Sequence, residues 1–222
     1  MQQNGILLID KPANMTSFGV VARIRRVLSQ QAGKKVKVGH TGTLDPFATG
    51  LMILVTGTEC KNAGTYTKMD KVYEATICLG KTSSTGDPEG EITEFESGDA
   101  RKVQSSDIEK MLKQFTGVIT QTPPIYSAIK INGQRAYDLA RKGMDVDIPS
   151  RQVTIYSLEL LDYAWPNVKI RTHVSSGTYI RSLAVDIGAA LGSGAYCTEL
   201  RRTRIASWDV TQAKTLADFG VH

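Results

Sequence analysis

Apolar and polar positions along the chain first predict a set of strands. GILLID (5–10) and LMILV (51–55) are short apolar runs typical of buried strands. VYEATICLG (72–80) alternates instead, which predicts a strand with a single apolar face. That face carries Tyr73, Ala75, Ile77 and Leu79. VTIYSLELLDY (153–163) and VKIRTHVSS (168–176) are expected to pair with each other across the short turn between them.

Helical spacing of apolar residues predicts three main helices. Ser17 is expected to cap the first helix, and Gly33 is expected to end it. Ser106 and Glu109 resemble a capping box at the start of the second helix. The third helix is YIRSLAVDIGAALG (179–192). The predicted inner faces are Phe18, Val21, Ile24, Val27 and Leu28 on the first helix, and Ile180, Leu183, Ala184 and Ile187 on the third.

A basic insert around residues 120–150 separates the second helix from the paired strands. It holds a diproline, an Asn132–Gly133 turn signal typical of a hairpin, and a short basic helix. The chain contains no internal repeat and no low-complexity linker. We therefore predict one α+β domain over residues 1–222, with a mixed, mostly antiparallel sheet flanked by helices and loops.

Composition agrees with a globular protein large enough to bury a core. Hydrophobic residues make up 41% and charged residues 22% of the 222 positions. We see neither an apolar run of about 18 residues nor the pattern of a signal peptide. Cys60, Cys78 and Cys197 are isolated, which argues against a disulfide framework or a zinc ribbon. A reducing cytoplasm is the expected location.

The net charge of +5 is modest, but the basic residues are clustered. The clusters are Lys34, Lys35 and Lys37, and Arg201, Arg202 and Arg204. A solvated surface explains any one such cluster. Two clusters beside candidate chemistry favour a nucleic acid as the partner.

Signatures of several common sites are missing from the sequence. It has no phosphate-binding loop of the GxxxxGK[ST] type, no dinucleotide fingerprint and no nucleophile elbow. His40, His173 and His222 lie far apart without the spacing of metal ligands. We therefore expect neither a cofactor nor a metal.

One carboxylate remains in an unusual setting, within KVGHTGTLDPFATG (37–50). Pro46 disfavours a helical backbone at Asp45, and the glycines of this segment permit close backbone approach. An aspartate that only caps a turn is the commoner explanation of an Asp-Pro pair. The length of this glycine-rich loop favours Asp45 as a catalytic candidate.

Two further residues are candidates for the same site. Arg181 lies in the first turn of a predicted helix, where the helix dipole favours acids. It is either a surface arginine or one held there to pair with a carboxylate and keep Asp45 ionised. Tyr73 is either a core tyrosine or a flat ring that stacks on a nucleobase.

Six segments, in order along the chain, resemble the motifs of the bacterial TruB family of tRNA pseudouridine synthases. They are GILLIDKPANMTS, GHTGTLDPFATG, KVYEATICLGKTSSTGDPEG, PPIYSAIKINGQRAYDLARKG, SSGTYIRSLAVDIG and LRRTRIASW. The resemblance extends over nearly the whole chain. It implies a pseudouridine synthase fold and an isomerase, an intramolecular transferase, that converts the uridine at position 55 of the tRNA T loop to pseudouridine.

The resemblance also implies residue roles. Asp45 would attack the sugar C1′ or take a sugar proton, Tyr73 would stack on the flipped-out base and serve proton transfer, and Arg181 would pair with Asp45. Substrate-binding roles would fall to His40, Tyr179, Leu200, Lys130 and Arg141. The implied partner is the T arm of tRNA, bound by a monomer with no cofactor, no membrane and no obligate protein partner.

Three features depart from the family pattern. Asn14 replaces a glycine, which a left-handed backbone at that position would tolerate. Ser175 stands where a cysteine is common. The chain ends soon after LADFG, so a C-terminal RNA-binding domain is expected to be absent or severely shortened.

Three alternatives stay open at this point. One is a guide-RNA-dependent relative within a ribonucleoprotein, and another is a non-catalytic RNA-binding or RNA-folding protein. The third is a generic α+β binding domain, which would not explain the order of the motifs.

Overall fold

A computed structural model describes residues 4–95, 103–127, 129–131, 133–140, 144 and 147–221. The strands are β1 (Gly5–Lys11), β2 (Val38–His40), β3 (Thr49–Thr56), β4 (Lys71–Leu79), β5 (Lys81–Ser83), β6 (Ile92–Glu94), β7 (Gly117–Gln121), β8 (Lys130–Ile131), β9 (Gln134–Arg135), β10 (Arg151–Ala164), β11 (Asn167–Val174), β12 (Ala195–Ile205) and β13 (Trp208–Asp209). The α-helices are α1 (Ser17–Ala32), α2 (Ala63–Thr67), α3 (Ser105–Gln114), α4 (Ala136–Ala140) and α5 (Ile180–Ala190).

The chain divides into two compact units. The first joins Met1–Tyr73 to Arg201–His222, and the second is Glu74–Leu200. Strands β4 and β12 each contribute residues to both units. No helix among the described residues is both long and apolar enough to cross a membrane.

In the first unit, β3 is the central strand. It pairs antiparallel with β1 and β2, and parallel with β12 where Arg201 and Arg202 lie opposite Thr49 and Gly50. β3 is buried almost throughout because nearly all of its residues are apolar. The core of this unit includes Leu51, Ile53 and Ile205, and partly buried residues pack around them.

Helix α1 confirms the predicted position and the Gly33 ending, but not every detail of the start. The capping residue is Thr16, whose side chain accepts a hydrogen bond from the Gly19 N–H. Ser17 is instead the first helical residue and is buried. Phe18 was wrongly placed on the inner face, since it is 63% exposed, whereas Val20 is fully buried.

In the second unit, β10 is the central long strand. It pairs antiparallel with β11 on one side and with β7 on the other, which confirms the predicted pairing of 153–163 with 168–176. The order of strands in this unit is β4-β11-β10-β7. The pairing of β10 with β11 contains two register shifts, between Ile155 and Ser157 and between Leu160 and Asp162.

The helices of the second unit follow the apolar pattern. The predicted inner face of α5 is confirmed, because Ile180, Leu183, Ala184 and Ile187 are all buried. Helix α3 begins earlier than predicted, and its capping box joins Gln104 to Asp107 rather than Ser106 to Glu109. The predicted hairpin is present as β8 and β9, with Gly133 at a φ of 85°. Helices beside a mixed, mostly antiparallel set of strands confirm the α+β class.

Candidate active site

Asp45 lies in the loop between β2 and β3, in the first unit. We call residues 41–51, which follow β2 and include the first residues of β3, the Asp45 loop. The Ala48 N–H donates to the Asp45 carbonyl over 3.2 Å, so the Asp-Pro step opens a tight turn. Asp45 is half-buried. The loop therefore presents a carboxylate from a short, closed piece of main chain.

Buried side chains from the N-terminal segment hold this loop. The Ser17 hydroxyl donates to the Leu44 carbonyl over 2.9 Å and accepts from the Leu44 N–H over 2.8 Å. Lys11, fully buried, donates to the Pro46 carbonyl over 3.1 Å. Main-chain atoms on both sides of Asp45 are thus fixed by hydrogen bonds from buried side chains.

Lys11 also shapes the segment that precedes α1. Its ammonium donates to the carbonyls of Pro12, at 2.8 Å, and Met15, at 2.6 Å. Asn14, within this turn, has a φ of 60°, which confirms that its position needs a residue tolerant of the left-handed region. One cation therefore links the N-terminal turn to the Asp45 loop.

Two other predicted site residues lie in the first unit. Tyr73 is on β4 and is 7% exposed. His40 ends β2, opposite Leu54 of β3, and is half-buried. Both side chains are thus supported by strands rather than by loops, which suits residues that must hold a defined position.

Arg181 lies in the second unit, at the start of α5, and is 3% exposed. Its guanidinium forms an ion pair with Asp87, with 2.8 Å between Nη1 and Oδ2. It also donates to the carbonyls of Thr85, at 3.0 Å, and Tyr126, at 2.8 Å. Arg181 is therefore a buried arginine and not a surface one, and the carboxylate that it contacts here is Asp87.

Asp87 is itself fixed by a local turn, which we call the Asp87 loop (residues 83–91). Its Oδ1 accepts from the Thr85 hydroxyl over 2.6 Å and from the Glu89 N–H over 3.0 Å. Gly90 has no room for a side chain, because a Cβ there would lie 2.5 Å from the Ser83 and Thr85 hydroxyl oxygens. The loop thus positions both oxygens of a carboxylate that is 3% exposed.

Tyr179 and Leu200 are the predicted base-pocket residues, and both belong to the second unit. Gln121, 1% exposed, clamps the Tyr179 main chain by accepting from its N–H over 2.8 Å and donating to its carbonyl over 3.0 Å. The Arg151 guanidinium lies 5.1 Å from the centre of the Tyr179 ring. Leu200, on β12, is 7% exposed.

The predicted phosphate-binding residues of the insert are less fully defined. Lys130 lies on β8, but its side chain is outside the described part of the chain. Arg141 lies outside the described residues altogether. Their proposed contacts with RNA therefore stay predictions.

The basic cluster near the C-terminus needs a correction. Arg202 is 1% exposed, so it cannot be a solvated phosphate contact. Arg201 is half-buried and forms an ion pair with Asp10, with 2.7 Å between Nη2 and Oδ2. Arg204 is the exposed member of the three. The sequence alone does not show which of these arginine side chains point into the core, so it predicted all three as one basic surface.

The predicted site residues are thus divided between the two units. Asp45, His40 and Tyr73 belong to the first, and Arg181, Tyr179 and Leu200 belong to the second. The expected pairing of Asp45 with Arg181 stays a prediction. Sequence reasoning missed the supporting residues Lys11, Ser17, Gln121 and Asp87; of these, Asp87 shares the Asp-Pro signal of Asp45.

The described residues contain no group of three or more His, Cys, Asp or Glu side chains that could hold a metal ion. A groove of ≈ 630 Å³ in the second unit is lined by charged, polar and apolar side chains, among them Asp162, Lys169, Tyr196 and Glu199. None of the predicted site residues lines it.

Comparison with known proteins identifies the family of the chain. The N-terminal domain model of the TruB family of pseudouridylate synthases matches residues 25–180, and a tRNA pseudouridylate synthase B C-terminal domain model matches residues 181–221. The chain is 44% identical to the tRNA pseudouridine synthase B of Azoarcus sp. (strain BH72), over 96% of this chain and 68% of that protein. It is 47% identical to the protein of the same name from Parabacteroides distasonis, over 90% of this chain and 85% of that one.

A solved structure is also similar. The crystal structure of a Cbf5–Nop10–Gar1 complex matches with a TM-score of 0.73 and 31% identity, over 97% of this chain and 53% of the matched chain. The chain thus spans about half the length of that solved chain. The family match includes Asp45, Tyr73 and Tyr179, and the C-terminal match begins at Arg181. The chain belongs to the TruB family of pseudouridylate synthases.

Proposed function

We propose that this protein isomerises uridine to pseudouridine in tRNA, at position 55 of the T loop. The observation that carries the proposal is the Asp45 loop, whose main chain is fixed on both sides of Asp45 by the buried side chains Ser17 and Lys11. A turn-capping aspartate on an ordinary surface loop does not need such support. A carboxylate that must meet a sugar carbon or a sugar proton does, because rates depend steeply on the placement of the reacting group.

The target uridine has to leave its stack to reach Asp45. Flipping a base costs a few kcal/mol, and least for a base that is already partly unstacked, as in a tRNA loop. Stacking on an aromatic ring returns about 1–3 kcal/mol per base. Tyr73 is the residue we assign to this contact and to the later proton transfer, since its ring is supported by a strand.

Asp45 would carry out the central step, in one of two ways. It would attack C1′ of the ribose and displace the uracil, or it would take a proton from the sugar. In both cases the base is released, turns and rejoins C1′ through C5. The bond between Asp45 and C1′ breaks at this step in the first route, and Asp45 returns the proton to the sugar in the second. The C5 proton is then lost. Arg181 would pair with Asp45 and keep it ionised. No step of either route requires a cofactor.

The remaining predicted residues would bind the RNA. We assign His40 to the RNA interface, Tyr179 and Leu200 to the wall of the base pocket, and Lys130 and Arg141 to phosphates. Phosphate contacts would position the RNA without reading its sequence. Shape recognition of the folded T loop would supply the rest.

A long basic stretch in the first unit supports an RNA substrate. No Asp or Glu occurs between Asp10 and Asp45, whereas this stretch holds seven lysines and arginines. Arg23 and Arg26 on α1, and Lys34, Lys35 and Lys37 after it, are exposed. Such an unbalanced charge attracts an anionic backbone.

A role within a ribonucleoprotein is the second candidate, because one of the similar solved structures is a Cbf5–Nop10–Gar1 complex. The relatives named tRNA pseudouridine synthase B are closer in identity, at 44% and 47%. We therefore favour an enzyme that acts on tRNA as a monomer without an obligate protein partner, in the cytoplasm.

Mapping the product tests this proposal. Unmodified tRNA transcript would be incubated with the protein, digested, and analysed by mass spectrometry after labelling of pseudouridine. We expect one pseudouridine, at position 55, and none in a transcript with cytidine at that position. Pseudouridine elsewhere would contradict the site, and its absence from a tRNA that the protein binds would favour the RNA-binding alternative.

A further inference from the structure

Arg202 contacts the Asp45 loop from inside the first unit. Its Nε donates to the Leu51 carbonyl over 2.7 Å, and its Nη2 donates to the Gly42 carbonyl over 3.2 Å. Gly42 precedes Asp45 and Leu51 follows it, so one guanidinium joins the two ends of the loop. A planar fork of donors can hold two acceptors in a fixed geometry, which a single ammonium cannot do as well.

The main chain of Arg202 fixes the same end of the loop. Arg202 of β12 pairs in parallel with Gly50 of β3. Gly50 has a φ of 105°, and a Cβ there would lie 2.3 Å from the Arg202 carbonyl oxygen. Only glycine allows this approach without a shift of main chain. Both the backbone and the side chain of Arg202 therefore contact the end of the loop, at Gly50 and Leu51.

A second buried cation lies beside Arg202. Lys71 is 7% exposed and donates to the Thr67 carbonyl over 2.9 Å and to the Met69 carbonyl. The atoms nearest to a Cβ built on Gly42 are Nη1 of Arg202 and Cε of Lys71, at 3.5 and 3.9 Å. Two buried cations thus lie beside the loop near Gly42: Arg202 donates to carbonyls of the loop, and Lys71 donates to carbonyls of residues 67 and 69.

Burying a cation costs free energy, so a buried arginine calls for a structural reason. A buried charge costs several kcal/mol unless hydrogen bonds compensate it. The bonds of Arg202 go to the two ends of one loop rather than to a carboxylate of the core. Placing the loop is the role that explains why an arginine occupies this position.

We propose that Arg202 is a positioning residue for isomerisation: its guanidinium closes the Asp45 loop and so holds Asp45 in the reactive place. Lys71 lies beside the same loop near Gly42, with its hydrogen bonds directed to Thr67 and Met69. The proposal rests on the proposed function, in which Asp45 reacts. It assigns no RNA contact to Arg202.

Single-turnover isomerisation of a tRNA transcript and the Kd for tRNA would be measured for Arg202→Lys and Arg202→Gln. Melting curves would establish that each variant folds, and the second variant serves if the first does not. Arg171→Lys is the matched control, because Arg171 is an exposed arginine that bonds Glu74 on a neighbouring strand.

We expect the rate constant of Arg202→Lys to fall about 10- to 100-fold, the effect of displacing a reacting group by about an ångström. The Kd should stay within about twofold of the wild type, since the lost interaction is internal to the protein. Arg171→Lys should match the wild type in both. A folded Arg202 variant with a normal rate constant would overturn the proposal, and so would a weaker Kd with an unchanged rate constant.

Asp45→Asn would be assayed beside these variants. Normal turnover by Asp45→Asn would overturn the proposed function itself. An inactive Asp45→Asn together with a fully active Arg202→Lys would overturn only the role of Arg202.

Discussion

Two Asp-Pro loops, one in each unit, hold their aspartates in different ways. In the Asp45 loop, neighbouring main chain is bonded by Ser17 and Lys11, and Asp45 itself is half-buried. In the Asp87 loop, the carboxylate itself is the bonded group, and it is 3% exposed beside Arg181. The same dipeptide thus carries the carboxylate that we propose to be reactive in one loop and a carboxylate that supports Arg181 in the other.

The difference shows which groups of each loop receive the stabilising hydrogen bonds. In the Asp45 loop, the hydrogen bonds of Ser17 and Lys11 stabilise the peptide on both sides of the aspartate. A carboxylate that supports an arginine can be buried, because the ion pair and its hydrogen bonds compensate desolvation. Changes at Asp87 should therefore reduce stability, whereas changes at Asp45 should reduce chemistry.

The largest effect on stability is expected at Asp87. Asp87→Ala would leave Arg181 buried without this partner and should lower the free energy of unfolding by about 3–5 kcal/mol, with loss of turnover. Urea unfolding measures it. Glu74→Gln is the control, because Glu74 pairs with Arg171 on the surface and such pairs contribute about 0–1 kcal/mol. Equal losses in the two variants would contradict the comparison.

A pH-dependent effect is expected from Lys71, beneath the Asp45 loop. Burial, followed by the charge of Arg202, lowers the pKa of Lys71 to about 8 from its usual 10.5. Between these pH values the unfolded chain binds a proton that the folded one has released, so the free energy of unfolding rises with pH, by up to about 3 kcal/mol.

Lys71→Met should remove this rise, and urea unfolding between pH 8 and pH 10.5 would show it. Lys169→Met, which replaces an exposed lysine of β11, should keep the rise. A curve for Lys71→Met that parallels the wild type would show that burial does not lower the pKa of Lys71 in the folded protein.

A smaller effect separates two neighbouring hydroxyls. Ser17→Ala removes both bonds to Leu44 and should lower the free energy of unfolding by about 1–3 kcal/mol and also slow turnover. Thr16→Ala removes only the helix cap, at about 1 kcal/mol, and should leave turnover unchanged. Thermal melts and single-turnover assays distinguish them. Equal turnover in the two variants would show that Ser17 does not support the Asp45 loop.

The smallest expected effect concerns RNA binding by the helices of the two units. Arg23→Gln with Arg26→Gln on α1 should reduce the slope of log K for tRNA against log salt concentration by about 1–2, as lost phosphate contacts do. Lys110→Gln with Lys113→Gln on α3, which also carries Asp107 and Glu109, should leave the slope unchanged. Equal changes on both helices would argue against a basic RNA-binding face on α1.

Much of the fold could be predicted because its periodic signals are strong. The strands β1 and β3 and the inner face of α5 are confirmed, although only β3 is buried along most of its length and Ile9 is the one buried apolar residue of β1. The prediction for the inner face of α1 was partly wrong. Val20 and Val21 are both apolar, so the sequence is compatible with two apolar stripes that differ by one position around the helix. Whether Thr16 or Ser17 caps α1 is decided by contact with Leu44, which no local pattern contains.

In the candidate site, too, some residues have a local sequence signal and others do not. Asp45 could be found from its Asp-Pro step within a glycine-rich loop, and Asp87 has the same signal in TGDPEG. Arg181, the partner of Asp87, is 94 residues away in sequence, so only the fold identifies this pair. Arg202 has no local signal at all, because its two acceptors are carbonyls of a distant segment.

The central claim is that Asp45 carries the chemistry and is not needed for binding. Release of tritium from [5-³H]uridine in a tRNA transcript, measured with wild type and Asp45→Asn at matched tRNA occupancy, tests it most directly. We predict full release by the wild type and none by Asp45→Asn, while the Kd for tRNA and the melting temperature stay close to those of the wild type. Release by Asp45→Asn at the wild-type rate would contradict the account.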